Sequence, residues 1–167
     1  MRWIWIDRFI EFQPGVKARA LKNVSLAEEH LHDHFPGYPV MPPTLMIEGM
    51  AQTGGILVGE AGAFKEKVVL AKVQKAEFYD LVVPGDQIIY EARLENFSEG
   101  AASISGTVSV GGRLIGEIEM MFSHVDQNLA GKQFPRENFV FTEQFMGLLR
   151  SFRMGTSEPD GVKNVEL

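Results

Sequence analysis

The sequence contains no cysteine. Disulfides and thiolate metal sites are therefore excluded, and nothing ties the chain to an oxidising compartment. Positive charge is also in short supply: 16 lysines and arginines stand against 22 aspartates and glutamates, giving a net charge of −6 and an isoelectric point near 5.2. That balance argues against nucleic acid or an anionic membrane surface as a partner. Long hydrophobic runs are missing too. Asp7 and Arg8 cut off the apolar WIWI near the N-terminus, which leaves no apolar core for a signal peptide, so a cytoplasmic location is expected. The longest apolar stretch, Thr44 to Val58, is interrupted by Glu48 and Gln52 and falls short of the roughly 20 residues of a membrane span. With 167 residues, 45% of them hydrophobic, one main domain with a sizeable core is expected.

The organising stretch is His34 to Gln52, HFPGYPVMPPTLMIEGMAQ. An ionisable histidine opens a Pro/Gly-rich loop, and two prolines precede the apolar run. Pro43 suits the first turn of a helix, where its fixed φ fits and its missing N–H would have had no intrahelical partner. From Thr44 to Val58 the residues are almost all apolar or small, the pattern of a helix buried on every side. Glu48 stands out within it. A buried carboxylate costs on the order of several kcal/mol unless it is paired or a site needs it. Gln52 lies one turn further on the same face.

Around this stretch the chain reads as strands. Trp3 to Phe12 and Val16 to Val24 are extended segments joined by the turn Gln13-Pro14-Gly15. Ser25 and Glu28 form a capping-box pair opening a short helical piece through LAEEHLHDH. His30, His32, Asp33 and His34 raise the question of a metal, but the run misses the spacing of HxHxDH by one residue and no distant ligand set stands out. No metal is expected. Gly59 and Gly62 are read as ending the central helix. Strands follow at Val68 to Phe78, Gln87 to Phe97, Ala101 to Val110 and Arg113 to Val125, with turns at Val83-Pro84-Gly85-Asp86 and Gly111-Gly112. A hairpin, a buried helix and an antiparallel run of strands predict an α+β domain, a curved antiparallel sheet wrapped around one long central helix.

Five blocks, in this order, carry a resemblance: IDRFIEFQPG, ALKNVSLAEEHLHDHFPGYPVMP, MIEGMAQTGGIL, KVQKAEFYDLVVPGDQI and VGGRLIGEIEMMF. From Trp5 to about Val125 the chain resembles the 3-hydroxyacyl-[acyl-carrier-protein] dehydratases of bacterial fatty-acid synthesis, a hotdog-fold family. The resemblance implies that residues 1–125 form the hotdog domain, with His34 as the catalytic base and Glu48 as the catalytic acid. A 3-hydroxyacyl thioester loses water when a base removes the proton beside the carbonyl while an acid helps the hydroxyl leave. Neither role calls for a metal or an organic cofactor. The family also implies a homodimer or a trimer of dimers, its sheets joined edge to edge so that each site draws on two subunits. Gly37, Pro43, Thr44, Gln52, Phe78 and Tyr79 are candidate substrate contacts, and Met41, Met46 and Met50 are further candidates for an apolar tunnel.

Two departures from the family pattern bear on function. The family's VMPG is VMPP here, so Pro43 offers no N–H to the thioester oxygen; Thr44 or Gly37 would have to supply one. Losing such a donor typically costs about 3 kcal/mol. Before VVPGD, where the family carries arginines suited to an acidic carrier protein, this chain has Glu77-Phe78-Tyr79-Asp80. Lys72, Lys75, Arg150 and Arg153 are the cations available to compensate, and a coenzyme A thioester is the other carrier compatible with the chemistry. A thioesterase on the same fold, or a catalytically impaired protein that binds acyl thioesters, are the competing readings. Residues 126–167 lie beyond the resemblance. There Phe141, Phe145, Leu148, Leu149 and Phe152 form one stripe of an amphipathic helix, read as packing on its own domain, with a lid or partner contact as the alternative. From Gly155 on, a frayed polar tail is expected.

Overall fold

The computed structural model describes residues 3–125, 135 and 137–156. Its elements, in chain order, are β1 (Arg8–Gln13), β2 (Lys17–Asn23), α1 (His30–Asp33), α2 (Pro43–Ala61), β3 (Val68–Phe78), β4 (Gln87–Phe97), β5 (Ala101–Val110), β6 (Arg113–His124) and α3 (Glu143–Thr156). The six strands form one antiparallel sheet in the order β1-β2-β4-β5-β6-β3. It wraps α2, which is the expected hotdog arrangement.

The sheet is amphipathic because its side chains alternate between faces. Ile88, Tyr90 and Ala92 of β4, Ala102, Ile104 and Val108 of β5, and Ile118, Met120 and Phe122 of β6 are all buried in one core with Met46, Met50, Ile56 and Leu57 of α2. The tight turns fall where glycine permits them. Gly111 and Gly112 both take positive φ between β5 and β6, and Gly15 does so between β1 and β2.

Close approach of helix and sheet depends on bare backbone. A Cβ on Gly49 would lie 2.6 Å from the Tyr90 ring, and one on Gly54 would lie 2.3 Å from Ile104. The helix is buried along most of its circumference. One stripe, Thr44, Glu48, Ala51 and Gly55, stays partly open, which qualifies the expectation of burial on every side.

Four local expectations are corrected. Trp3 to Ile6 joins no strand, and β1 begins only at Arg8; the Trp5 N–H donates to Gln52 Oε1 at 2.8 Å instead of to the sheet. Glu28 does reach back to the Ser25 N–H at 3.1 Å, and Ser25 Oγ accepts from Ala27 N–H. This box closes a turn, however, and α1 starts five residues after Ser25. Gly59 lies inside α2, which ends at Ala61 with Gly62 as its cap. Finally, α3 remains helical through Thr156, past the expected start of fraying at Gly155; the rest of the polar tail lies outside the described residues.

The C-terminal helix packs on its own domain, against β1. Leu149 is buried and Phe145, Leu148 and Phe152 pack against the core. Phe141 belongs to the same apolar contact but precedes the helix. At the opposite edge of the sheet, β3 is exposed from Leu70 to Gln74. Among the described residues no helix is long and apolar enough to cross a membrane.

Candidate active site

His34 sits at the mouth of a loop that folds back on itself. The Phe35 and Tyr38 N–H groups donate to each other's carbonyls at 3.0 and 2.9 Å, and the Val40 N–H donates to the His34 carbonyl at 2.9 Å. The His34 Nδ1 lies 2.8 Å from the Val40 carbonyl oxygen. A carbonyl only accepts, so Nδ1 carries the proton of that bond. In the neutral ring the lone pair is then on Nε2, the nitrogen a general base would use. The ring stacks on Phe35 with centroids 4.3 Å apart.

Glu48 lies on the open stripe of α2 and is held by two donors. Gln52 Nε2 donates to its Oε1 at 2.9 Å, and Trp3 Nε1 donates to the same oxygen at 3.1 Å. Gln52, only 6% exposed, is itself fixed at every polar atom. Its Oε1 takes the Trp5 N–H, which forces the NH₂ toward Glu48 and the Trp3 carbonyl, 3.1 Å away. The N-terminal segment is thereby strapped across the middle of α2.

Beside Glu48 opens a cavity of about 240 Å³. Apart from Glu48 and Gln52 its lining is apolar. Ala51, Gly55 and Ile56 come from α2, Val68 to Leu70 from β3, Phe122 from β6, Trp3 from the strap, and Val140, Phe141 and Phe145 from the C-terminal extension. A single carboxylate set in such a lining has few competing hydrogen-bond donors, so its own held oxygen defines where a polar reacting group would dock.

The structure brings only part of the expected site together within one chain. Glu48 and Gln52 line the cavity; His34, Gly37, Pro43, Thr44, Phe78 and Tyr79 do not. Gly37 takes φ +77 in the His34 loop. Pro43 occupies the first turn of α2, as expected. Leu45 and Met46 N–H donate to the Pro42 carbonyl, and Pro43 has no N–H. Thr44 therefore carries the first-turn amide for which the helix provides no acceptor. Phe78 lies over Gly116, where a Cβ would meet its ring at 2.7 Å. Tyr79 is largely exposed and its hydroxyl donates to Glu117 at 3.0 Å. Met41, Met46 and Met50 are core residues; none of them lines the cavity.

The neighbouring charges are mostly spent on one another. Lys75 bonds Glu117 at 2.9 Å and Glu77 at 3.3 Å. Those bonds push the Lys75 ammonium above its ordinary value, and the Lys75 bond holds the Glu117 carboxyl below its own. Asp80 accepts from the Leu81 N–H and pairs with Arg113. In the extension, Arg150 pairs with Glu143 and Arg153 with Glu60. Of the four cations expected to offset the acidic segment, only Lys72 shows no such pairing among the described residues.

The histidines of the earlier cluster serve separate ends. His30 meets the Trp5 ring edge-on at 5.1 Å, and His32 Nε2 lies 3.0 Å from the Leu26 carbonyl. No group of three metal-ligating side chains is gathered among the described residues.

Comparison with known proteins gives this arrangement its class. A family model described as a FabA-like domain matches residues 3–119, and the chain belongs to that family. Among its curated relatives is the 3-hydroxyacyl-[acyl-carrier-protein] dehydratase FabZ of Pelotomaculum thermopropionicum, 40% identical over 122 residues, covering 72% of this chain and 87% of the relative. The enzyme of the same name from Listeria monocytogenes is 39% identical over 125 residues, covering 74% and 87%. Solved structures share the fold at lower identity. The dehydratase heterocomplex ApeI:P of Xenorhabdus doucetiae matches with a TM-score of 0.56 at 12% identity, covering 69% of this chain and 96% of that one. Zebra fish thioesterase superfamily member 2 matches with a TM-score of 0.58 at 13% identity, covering 70% and 79%.

Trp3 was not legible as a site residue. It approaches Glu48 from 45 positions away, and no local pattern marks it. Phe141 and Phe145 were visible as members of an apolar stripe, but a stripe says which residues are buried together, not what they are buried against.

Proposed function

We propose that the chain is a hydro-lyase that converts 3-hydroxyacyl thioesters to trans-2-enoyl thioesters in acyl-chain synthesis, with His34 as base and Glu48 as acid. The observation that carries this reading is the Glu48 carboxylate, oriented by Gln52 and Trp3 at one end of an apolar cavity, in a chain about 40% identical to named dehydratases. The acyl chain would lie in the cavity. His34 Nε2 would take the proton from the carbon next to the thioester carbonyl while the Glu48 carboxyl gives its proton to the departing hydroxyl. The C–O bond breaks, a C=C bond forms, and water leaves. The Thr44 N–H is the donor available for the charge developing on the thioester oxygen, in place of the one Pro43 lacks.

His34 does not line the cavity beside Glu48 in its own chain, which favours a site assembled by two chains. A homodimer joined along the open β3 edge, alone or as a trimer of dimers, supplies that partner. The thioester carrier is an acyl carrier protein or coenzyme A, and the reaction is placed in the cytoplasm.

The test is hydration of a 2-enoyl thioester, the reverse reaction, by wild type beside His34→Ala, Glu48→Gln and Pro43→Gly. Turnover by wild type with a loss of about 10²-fold or more in His34→Ala and Glu48→Gln is expected. Pro43 favours one rival, an impaired binding protein. Inert wild type and active Pro43→Gly would establish that rival, and release of free thiol without hydration would establish a thioesterase.

A further inference from the structure

The cavity has an end wall that the family region does not supply. It runs along α2 from Glu48 to Ile56, about 12 Å of helix. One turn beyond Ile56 is Gly59, and there Phe141 closes over the helix: a Cβ on Gly59 would lie 2.2 Å from the Phe141 ring. Phe141 thus stands at the end of the cavity remote from the Glu48 carboxylate, Phe145 also lines the cavity, and both lie past residue 119, where the family match stops.

This wall is anchored on several sides. Asn138 donates to the carbonyls of Phe64 and Glu66, while its Oδ1 accepts from the N–H groups of Val140 and Phe141 at 3.1 and 3.3 Å. The Phe64 and Phe141 rings meet edge-on at 5.0 Å. Behind them Arg153 of α3 pairs with Glu60 of α2 at 3.1 Å, and Leu149 is buried. A segment held by backbone hydrogen bonds, ring packing and an ion pair presents a fixed surface to whatever fills the cavity.

We propose that the C-terminal extension is a specificity element: Phe141 and Phe145 close the acyl cavity and restrict the site to short acyl chains. The proposal rests on the acyl-thioester reading given above. A longer chain must displace one of the two rings; Phe141 is pinned by the contacts just described, and Phe145 packs against the core. The discrimination resides in an apolar wall, so it acts on chain length and leaves the chemistry at Glu48 unchanged.

The experiment compares butenoyl, octenoyl and hexadecenoyl thioesters as hydration substrates, and the matching saturated acyl-pantetheine thioesters as ligands by calorimetry. Wild type, Phe141→Ala, Phe145→Ala and, as a milder change in case the alanine variants fold poorly, Phe141→Leu are measured, with circular dichroism as the check on folding. The expected result is a wild type that prefers the short chain in both assays. In the variants the ratio of long-chain to short-chain kcat/KM rises by about tenfold or more. Binding shifts in parallel. An unchanged chain-length profile in the folded variants would overturn the proposal, as would a wild type that binds hexadecanoyl and butanoyl thioesters equally well or binds none. If no variant hydrates any substrate yet the binding profile shifts with Phe141, the dehydratase reading fails and the wall stands.

Discussion

At the scale of single residues, the Glu48 carboxylate is the centre of a small polar web in apolar surroundings. Trp3 contributes one donor to it and is itself 59% exposed, so its bond competes with water. Trp3→Phe keeps an aromatic ring, though a smaller one, and removes the N–H. Hydration activity should fall by up to about tenfold, through kcat more than KM, since a hydrogen bond to a charged group is worth about 1.5–3 kcal/mol at most when shielded. A pH–rate profile shifted in the variant would separate a positioning role for Trp3 from a packing role.

His30 offers a stability test. Burial holds its imidazole below the ordinary histidine value of 6.5, against the pull of Glu28 and with Lys22 and His34 acting in the same direction as burial. The unfolded chain therefore takes up this proton first as pH falls through about 6.5, and the native state resists it. Stability contributed at this position is present above that value and declines below it. The Tm of wild type should drop more steeply between about pH 7 and pH 5.5 than that of His30→Gln; equal slopes in a thermal-melt series would refute this.

At the scale of elements, α2 and the sheet meet through contacts that tolerate loss better than addition. Tyr90 is fully buried, and its hydroxyl has no hydrogen-bond partner among the described residues. Burial raises its phenol well above the ordinary value. Tyr90→Phe should leave stability unchanged or raise it by up to about 1–2 kcal/mol. Gly49→Ala, which drives a Cβ into the same ring, should cost about 1–3 kcal/mol. Urea titrations of both variants check the contrast.

Much of this element plan was legible in the sequence. The strands from Val68 onward, the glycine turns and the Pro43 start of α2 follow from alternation, positive-φ demand and the missing proline N–H, which are all local. What escaped was set by distant partners. Gly59 has the look of a helix terminator, yet its bareness serves Phe141, which arrives 82 positions later. Glu28 reaches back to the Ser25 N–H, but Ser25 Oγ takes the Ala27 N–H and no helix starts there. Trp3 to Ile6 has strand composition, yet Gln52 draws its backbone away from the sheet. Glu48 and His34 stood out as ionisable groups around one loop and helix; the rest of the cavity is tertiary.

At the scale of the whole molecule, an open β3 edge and a His34 outside its own chain's Glu48 cavity make a two-chain site testable by mixing. His34→Ala and Glu48→Gln, each inactive alone, should regain activity when unfolded and refolded together. Random pairing makes about half the dimers mixed, each with one intact site, so about a quarter of wild-type activity is expected. Refolded mixtures that stay inactive would place both groups in one chain. The two tryptophans near the N-terminus give this molecule a spectroscopic signature as well. Trp5 is 3% exposed and edge-on to its neighbour Trp3, which is 59% exposed with its ring on the cavity wall. Their emission should therefore split into a blue, solvent-insensitive component and a red, quencher-accessible one, and in a Trp5→Phe background the remaining fluorophore would report directly on anything that enters beside Glu48.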